Sequence, residues 1–299
     1  MIVSHRLHSA PEPAAVIELL KPVTWFPPMW AFACGVASTG IAPGDRWGVV
    51  LLGVAVAGPL VCAASQAVND WFDREVDAIN EPGRPIPSGR MPGRWGLRVA
   101  LAWTAASALA GWFLGPWGFA ATLAALALAW AYSAPPLRLK ENGWWGNTAV
   151  AFSYEGLAWV TGATVVLGGA WPGWRTVLLA ALYSAGAHGI MTLNDFKARE
   201  GDAVMGIRSL PTRLGPERAA VVACLFMVAA QAVVVAVLAG WGLDGAGMVV
   251  SALILAQLPL MAWFLARPVE RALHLSAFGV PLYVSGMMVS AFALGGVST

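Results

Sequence analysis

Nine apolar stretches divide this chain, most of them about 20 residues long, the length a helix needs to cross a ~30 Å hydrocarbon core. They run from Pro22 to Ile41, Trp47 to Val68, Gly96 to Leu114, Phe119 to Ala134, Asn147 to Gly168, Trp174 to Leu193, Ala219 to Trp241, Ala246 to Ala266 and Ala272 to Leu294, the fourth being the shortest. Lipid offers no hydrogen bonds to a backbone, so each crossing must satisfy its amides internally, and an all-α polytopic membrane protein follows. Only 11% of the residues are charged, against about a quarter in a soluble domain. The 16 tryptophans suit a water–bilayer boundary. A net charge of +2 gives no reason to expect a nucleic-acid partner.

The links between these stretches alternate between long and charged, and short and bland. Sixteen of the 18 Lys and Arg fall on one side, from Arg6 and Lys21 through the clusters near Arg84, Arg138 and Lys197 to Arg267 and Arg271; Arg46 and Arg175 fall on the other. The positive-inside rule then predicts a cytoplasmic N-terminus, a C-terminus on the far side and cytoplasmic polar loops. Residues 1–21 are expected to form a short cytoplasmic segment and residues 22–294 the nine-helix membrane domain. The first twenty residues lack the apolar core of a cleaved signal peptide. Cys34, Cys62 and Cys224 stand singly in apolar runs, without the spacing of a zinc site or a disulfide framework.

Against this apolar background, Asn69 to Arg90 gathers five acids and three arginines, "NDWFDREVDAINEPGRPIPSGR". If the second helix continues through this stretch, Asn69, Asp70, Asp73 and Asp77 fall within about 100° of one face. The sixth helix runs into a matching segment, "NDFKAREGD", carrying Asn194, Asp195 and Asp202, with Gly201 a candidate helix end before Asp202. A repeat of this kind is expected to set the two segments opposite each other. Clustered carboxylates repel unless a cation neutralises them. Oxygen donors without Cys or clustered His suit Mg2+, which binds a few carboxylates and completes its shell with water and substrate phosphates. Arg84, Arg90, Arg138, Lys140 and Lys197 are the candidates for holding phosphate oxygens.

Asn69-Asp70-x-x-Asp73-x-x-x-Asp77 followed by "RPIPSGR" resembles the first signature of the UbiA superfamily of intramembrane prenyltransferases. "YSAPPLRLKENGWWGN", "LNDFKAREGD", "GIRSLP" and "SYEGLAW" look like its chlorophyll and bacteriochlorophyll synthase branch, leaning toward the bacterial members. The resemblance implies a nine-helix bundle with a central cavity under cytoplasmic cap loops. It implies Mg2+-dependent transfer of a geranylgeranyl or phytyl group from its diphosphate to the propionate of bacteriochlorophyllide a. It also implies an active-site tyrosine at Tyr132, and admits contacts with other pigment-biosynthesis or photosynthetic proteins. The chain departs from the family where many members carry a second Asp-x-x-x-Asp: four residues after Asp195 stands Arg199, leaving Glu200 or Asp202 to supply the ligand.

Catalysis on this reading rests on Asp70, Asp73, Asp195 and Tyr132, stabilising a departing diphosphate beside an allylic cation. A propionate, with a pKa near ~4.3, is already a nucleophile at neutral pH and needs no general base. Two ionisable residues lie about 9–12 Å below the polar helix ends, Glu155 and His188, and both are candidates for touching the pigment, His188 as an axial ligand of the chlorin magnesium. The rival classes are chlorophyll, quinone or haem prenylation, a passive pigment scaffold, and a transporter, whose acids would lie near the bilayer midplane.

Overall fold

The computed structural model describes residues 10–297, apart from the side chain of Glu200; Arg6 lies outside the described residues. Eleven helical runs follow one another. They are α1 (Pro13–Leu20), α2 (Phe26–Ala37), α3 (Gly44–Asn80), α4 (Trp95–Gly111), α5 (Gly115–Ser133), α6 (Gly143–Val166), α7 (Trp174–Val204), α8 (Leu210–Leu214), α9 (Pro216–Gly240), α10 (Asp244–Ala266) and α11 (Pro268–Gly295). No strand forms among the described residues; one isolated bridge pairs Asn142 with Arg208. Seven continuous runs are long and apolar enough to cross a membrane, with 95–133 counted as one, and α2 is a shorter apolar helix. Within that one run the chain turns at Gly115, whose φ of 82° is readily open only to glycine, and α4 and α5 pack on each other.

Helices in lipid gain little from apolar burial against one another and depend on close contact. Gly35 of α2 and Gly162 of α6 show how close. A Cβ at Gly35 would sit 1.9 Å from the Trp159 carbonyl oxygen, and one at Gly162 would sit 2.0 Å from that of Phe32, so the two backbones touch. The three cysteines are buried and free, as their apolar settings imply.

Three wide, π-helical turns interrupt the bundle where it matters for the site, one of them Leu275–Gly279 of α11, which carries Ser276. Val56–Cys62 of α3 contains Pro59, which cannot donate to the helix ladder; its carbonyl is instead held by the indole of Trp103 at 3.1 Å. Phe152–Leu157 of α6 carries Tyr154 and Glu155. Such turns reorient side chains and occur often at functional sites. The two acidic segments are the last turns of α3 and α7, and both helices continue straight through them. Gly201 does not end α7. A Cβ there would lie 2.2 Å from the Asn80 amide nitrogen, so the glycine lets α7 close against the end of α3.

Candidate functional site

The ends of α3 and α7 border a cavity of about 510 Å3. From α3 it is lined by Asn69, Asp73, Asp77 and Asn80; from α7 by Asn194, Asp195, Lys197 and Asp202. Tyr132, at the end of α5, and Lys140, in the following loop, close another side. Lys21, Glu81 and Arg84 complete the polar rim. The i, i+4 spacing of Asn69, Asp73 and Asp77 puts three oxygen donors on this face, as helical periodicity requires.

Each acid of α3 has a cationic neighbour. Lys140 Nζ binds Asp73 Oδ1, and Asn69 Nδ2 donates to the other oxygen at 2.7 Å. Arg84 donates to Asp77 at 2.8 Å, to Glu81 at 2.7 and 2.9 Å, and to Asp70 at 3.2 Å. Its hydrogen bonds hold the Glu81 carboxyl below the usual range. Burial pulls the Lys140 ammonium below the usual lysine range, with the Asp73 carboxylate acting in the opposite direction. On α7, Asp195 accepts from Asn147 at 2.9 Å, and burial pushes the Asp202 carboxyl up to about 6 against a hydrogen bond from Ser209. Lys197 faces the same cavity and has no ion-pair partner among the described residues.

Several expected members of the site are placed elsewhere. Asp70 does not line the cavity: although it falls on the same arc as Asp77, Lys21 at 2.6 Å and Arg84 at 3.2 Å take one of its oxygens, and the other is buried without a hydrogen-bond partner among the described residues. Arg90 is half-exposed and clasps Glu18 at 2.6 and 2.8 Å and the Gly83 carbonyl at 2.7 Å, tying α1 to the loop rather than facing the cavity. Arg138 lines a separate cleft and only its far tip approaches Asp73, at 3.9 Å. Glu155 and His188 are buried but line no part of the cavity. The His188 ring is enclosed by Trp144 at 5.5 Å and Phe226 at 4.4 Å, and its Nδ1 lies 3.1 Å from the Thr148 hydroxyl, so neighbouring side chains cover the face that its spacing from Asp195 suggested.

Other residues enter that sequence reasoning did not single out. Lys21 counted only toward topology, although a lysine directly before the first apolar stretch was a signal. Tyr154 was quoted only within "SYEGLAW". Its hydroxyl meets Ser65 at 2.9 Å, Gln66 at 3.1 Å and Cys62 at 3.3 Å, which fixes the ring at a junction. On one side lies the main cavity; on the other a narrow apolar extension of about 30 Å3 passes Ala57, Gly53, Phe32 and Ala121.

The donors facing the cavity are carboxylate, amide and hydroxyl oxygens, with no thiol or imidazole among them, which suits a hard divalent cation. No three of His, Cys, Asp and Glu converge tightly enough to cage an ion among the described residues. That pattern fits Mg2+, which takes one or two carboxylates and shares its remaining positions with water and phosphate, and does not fit an all-protein site.

A family model described as "UbiA prenyltransferase family" matches residues 24–289. A "Bacteriochlorophyll synthase 33 kDa chain" of Cereibacter sphaeroides is 55% identical over 99% of both chains. A "Chlorophyll synthase, chloroplastic" of Oryza sativa is 35% identical over 93% of this chain and 76% of its own length. Among solved structures, a UbiA homolog from Archaeoglobus fulgidus bound to DMAPP and Mg2+ superposes with a TM-score of 0.69 at 21% identity, covering 94% of this chain and 99% of that one. The likeness in fold extends along nearly the whole chain.

Proposed function

This chain belongs to the UbiA prenyltransferase family, and from that premise we propose that it esterifies the propionate of bacteriochlorophyllide a with geranylgeranyl or phytyl diphosphate, releasing diphosphate. The observation that carries the reading is the pair of acid-bearing helix ends, interleaved with lysine and arginine, at the rim of an otherwise apolar cavity. Near-full-length identity to the bacterial pigment synthase supports the choice of acceptor. A transporter would carry its acids at the midplane; here they end their helices.

In the proposed complex Mg2+ would be held by one or two carboxylates drawn from Asp73 and Asp77 of α3 and Asp195 and Asp202 of α7, beside the amide oxygens of Asn69 and Asn194, with water and phosphate completing its shell. When bound, Mg2+ neutralises the charge that grows on the departing diphosphate. Lys140, Arg84, Lys197 and Lys21 bind diphosphate oxygens. Lys140 and Arg84 are paired with Asp73 and Asp77, so the acids are kept from repelling one another, and the same bases are within reach of phosphate oxygens at the rim. Tyr132 faces the allylic cation from the end of α5.

The prenyl chain runs inward past Tyr154 toward the extension. From Asp73 to Cys62 is about 16 Å along α3, and to Ala57 about 24 Å, at ~1.5 Å per residue. The carbon–oxygen bond to diphosphate breaks, the carboxylate captures the allylic carbon as the diphosphate leaves, and no side chain removes a proton. We further read the bundle as nine crossings, with α2 the first and the 95–133 run folded into two. The acids then lie at the cytoplasmic face, after an N-terminal segment of residues 1–21 and within a membrane domain of residues 22–294.

The test is to incubate purified protein with bacteriochlorophyllide a, chlorophyllide a and geranyl, geranylgeranyl or phytyl diphosphate, with Mg2+ or a chelator. Esterified bacteriochlorophyllide appearing only with Mg2+ is expected. Esterification of neither pigment under any combination overturns the assignment.

A further inference from the structure

A second polar cavity, of about 390 Å3, opens outside the one described above and is lined by Leu137, Arg138, Glu141, Trp145, Arg208 and Arg213, together with Leu139 and Asn142. Its walls are two loops, one before α6 and one before α8, stapled by backbone. Gly143 N donates to the Arg208 carbonyl at 3.0 Å, and Arg208 N donates to that of Glu141 at 3.1 Å. The rim is thus fixed in shape.

Its charge is unbalanced. Glu141 is committed to Arg138 at 3.2 Å. The side chains of Arg208 and Arg213 have no ion-pair or hydrogen-bond partner among the described residues, and Arg138 leaves its Nε buried and unpartnered. Arg138 also holds a left-handed backbone, φ 36°, a conformation that surrounding structure must impose on a residue with a side chain. Three guanidinium groups around one hollow, two of them free, match an anion with several oxygens better than a single carboxylate.

Position decides which anion. Trp145 is the third residue of a membrane-crossing helix and is 67% exposed, and Leu137 beside it is 65% exposed. An indole so placed sits at headgroup depth. A soluble phosphate would gain nothing from these two apolar side chains, whereas a phospholipid would lay its glycerol and first methylenes on them. Basic pockets at helix ends on the positively charged side of a membrane protein suit anionic headgroups. We propose that this cleft binds the phosphate headgroup of an anionic phospholipid, with Arg208 and Arg213 as its principal ligands and Trp145 and Leu137 as the apolar shelf. Arg138, reaching Asp73 at 3.9 Å from the same cleft, links the bound lipid to the rim of the main cavity.

The experiment reconstitutes the protein in nanodiscs of phosphatidylcholine with phosphatidylglycerol as the minor component and measures, by native mass spectrometry, the phosphatidylglycerol retained per chain. Wild type is expected to retain it selectively. At about one headgroup interaction of ~1 kcal/mol per arginine, Arg208→Gln combined with Arg213→Gln should weaken retention roughly thirtyfold. Arg94→Gln with Arg98→Gln, equally basic positions outside the cleft, should leave it unchanged. Excess glycerol 3-phosphate should not displace the lipid. Equal retention by the cleft variant, an equal loss in the Arg94/Arg98 control, or displacement by glycerol 3-phosphate each overturns the proposal. If the double variant fails to insert, Arg213→Gln alone carries the comparison, with a loss of about fivefold expected.

Discussion

Replacing Gly201 by alanine adds one methyl group at the point where the two acidic helices meet. That carbon would lie 2.2 Å from Asn80 Nδ2 and 2.5 Å from its Cγ, where non-bonded heavy atoms settle at about 3.5 Å. The overlap of about 1 Å has to be relieved by moving Asn80 or by parting α7 from α3. Overpacking of this size costs about 1–3 kcal/mol, visible as a loss of a few degrees in Tm for a chain of this length. The larger effect should be on turnover. Asp195 and Asp202 ride on α7, and Asp73 and Asp77 on α3, so parting the helices spreads the proposed Mg2+ and diphosphate ligands by a similar distance. A misplacement of 1 Å in a reacting geometry costs on the order of 100-fold. Esterification measured against Mg2+ concentration should therefore show a fall of about two orders of magnitude in kcat/KM and a raised Mg2+ requirement. Asn80→Ala combined with Gly201→Ala removes the clashing amide and should recover at least about tenfold of the loss. Wild-type kinetics in Gly201→Ala, or a double variant no better than the single one, refutes the reasoning.

Asp73→Asn and Asp195→Asn should each lower kcat by about 100- to 1000-fold while the protein still inserts, since each removes charge facing the departing diphosphate; initial rates with excess Mg2+ decide this. Arg90→Ala should leave turnover within about twofold of wild type, because its partner is the exposed Glu18 and not the cavity; rates near those of Asp73→Asn would restore it to the site. Ala121→Leu, filling the apolar extension beyond Tyr154, should raise KM for geranylgeranyl diphosphate about tenfold and leave geranyl diphosphate unaffected, as competition between the two donors would report. For His188→Ala, the absorption spectrum of bound bacteriochlorophyllide should match that of wild type, since Trp144 and Phe226 enclose the ring; a shifted spectrum would return His188 to the pigment.

What could be read from the sequence was local. Helical spacing puts Asn69, Asp73 and Asp77 on one face, and the matched Asn-Asp segments anticipate that the ends of α3 and α7 border one cavity. Spacing fails where a neighbour decides. Asp70 lies within the same arc by arithmetic, yet Lys21, 49 residues earlier in the chain, draws its carboxylate out of the cavity. Lys140 reaches Asp73 across 67 residues, a pairing no local pattern reveals. Gly201 reads as a helix end because glycine weakens helices; packing against Asn80 supplies the reason for it instead. The apolar runs are clear throughout, and two of them form one helical stretch because the short 3-10 turn Trp112–Leu114 leads straight into Gly115 with no loop between.

The central claim is that the pigment's carboxylate attacks the allylic carbon while the acidic rim holds the diphosphate. Bacteriochlorophyllide a carrying heavy oxygen in both propionate positions, turned over with geranylgeranyl diphosphate and Mg2+, tests it by mass spectrometry of both products. Both labelled atoms are expected in the ester and none in the released diphosphate. Label appearing in the diphosphate would mean that the carboxyl, not the prenyl carbon, is activated, and would contradict it.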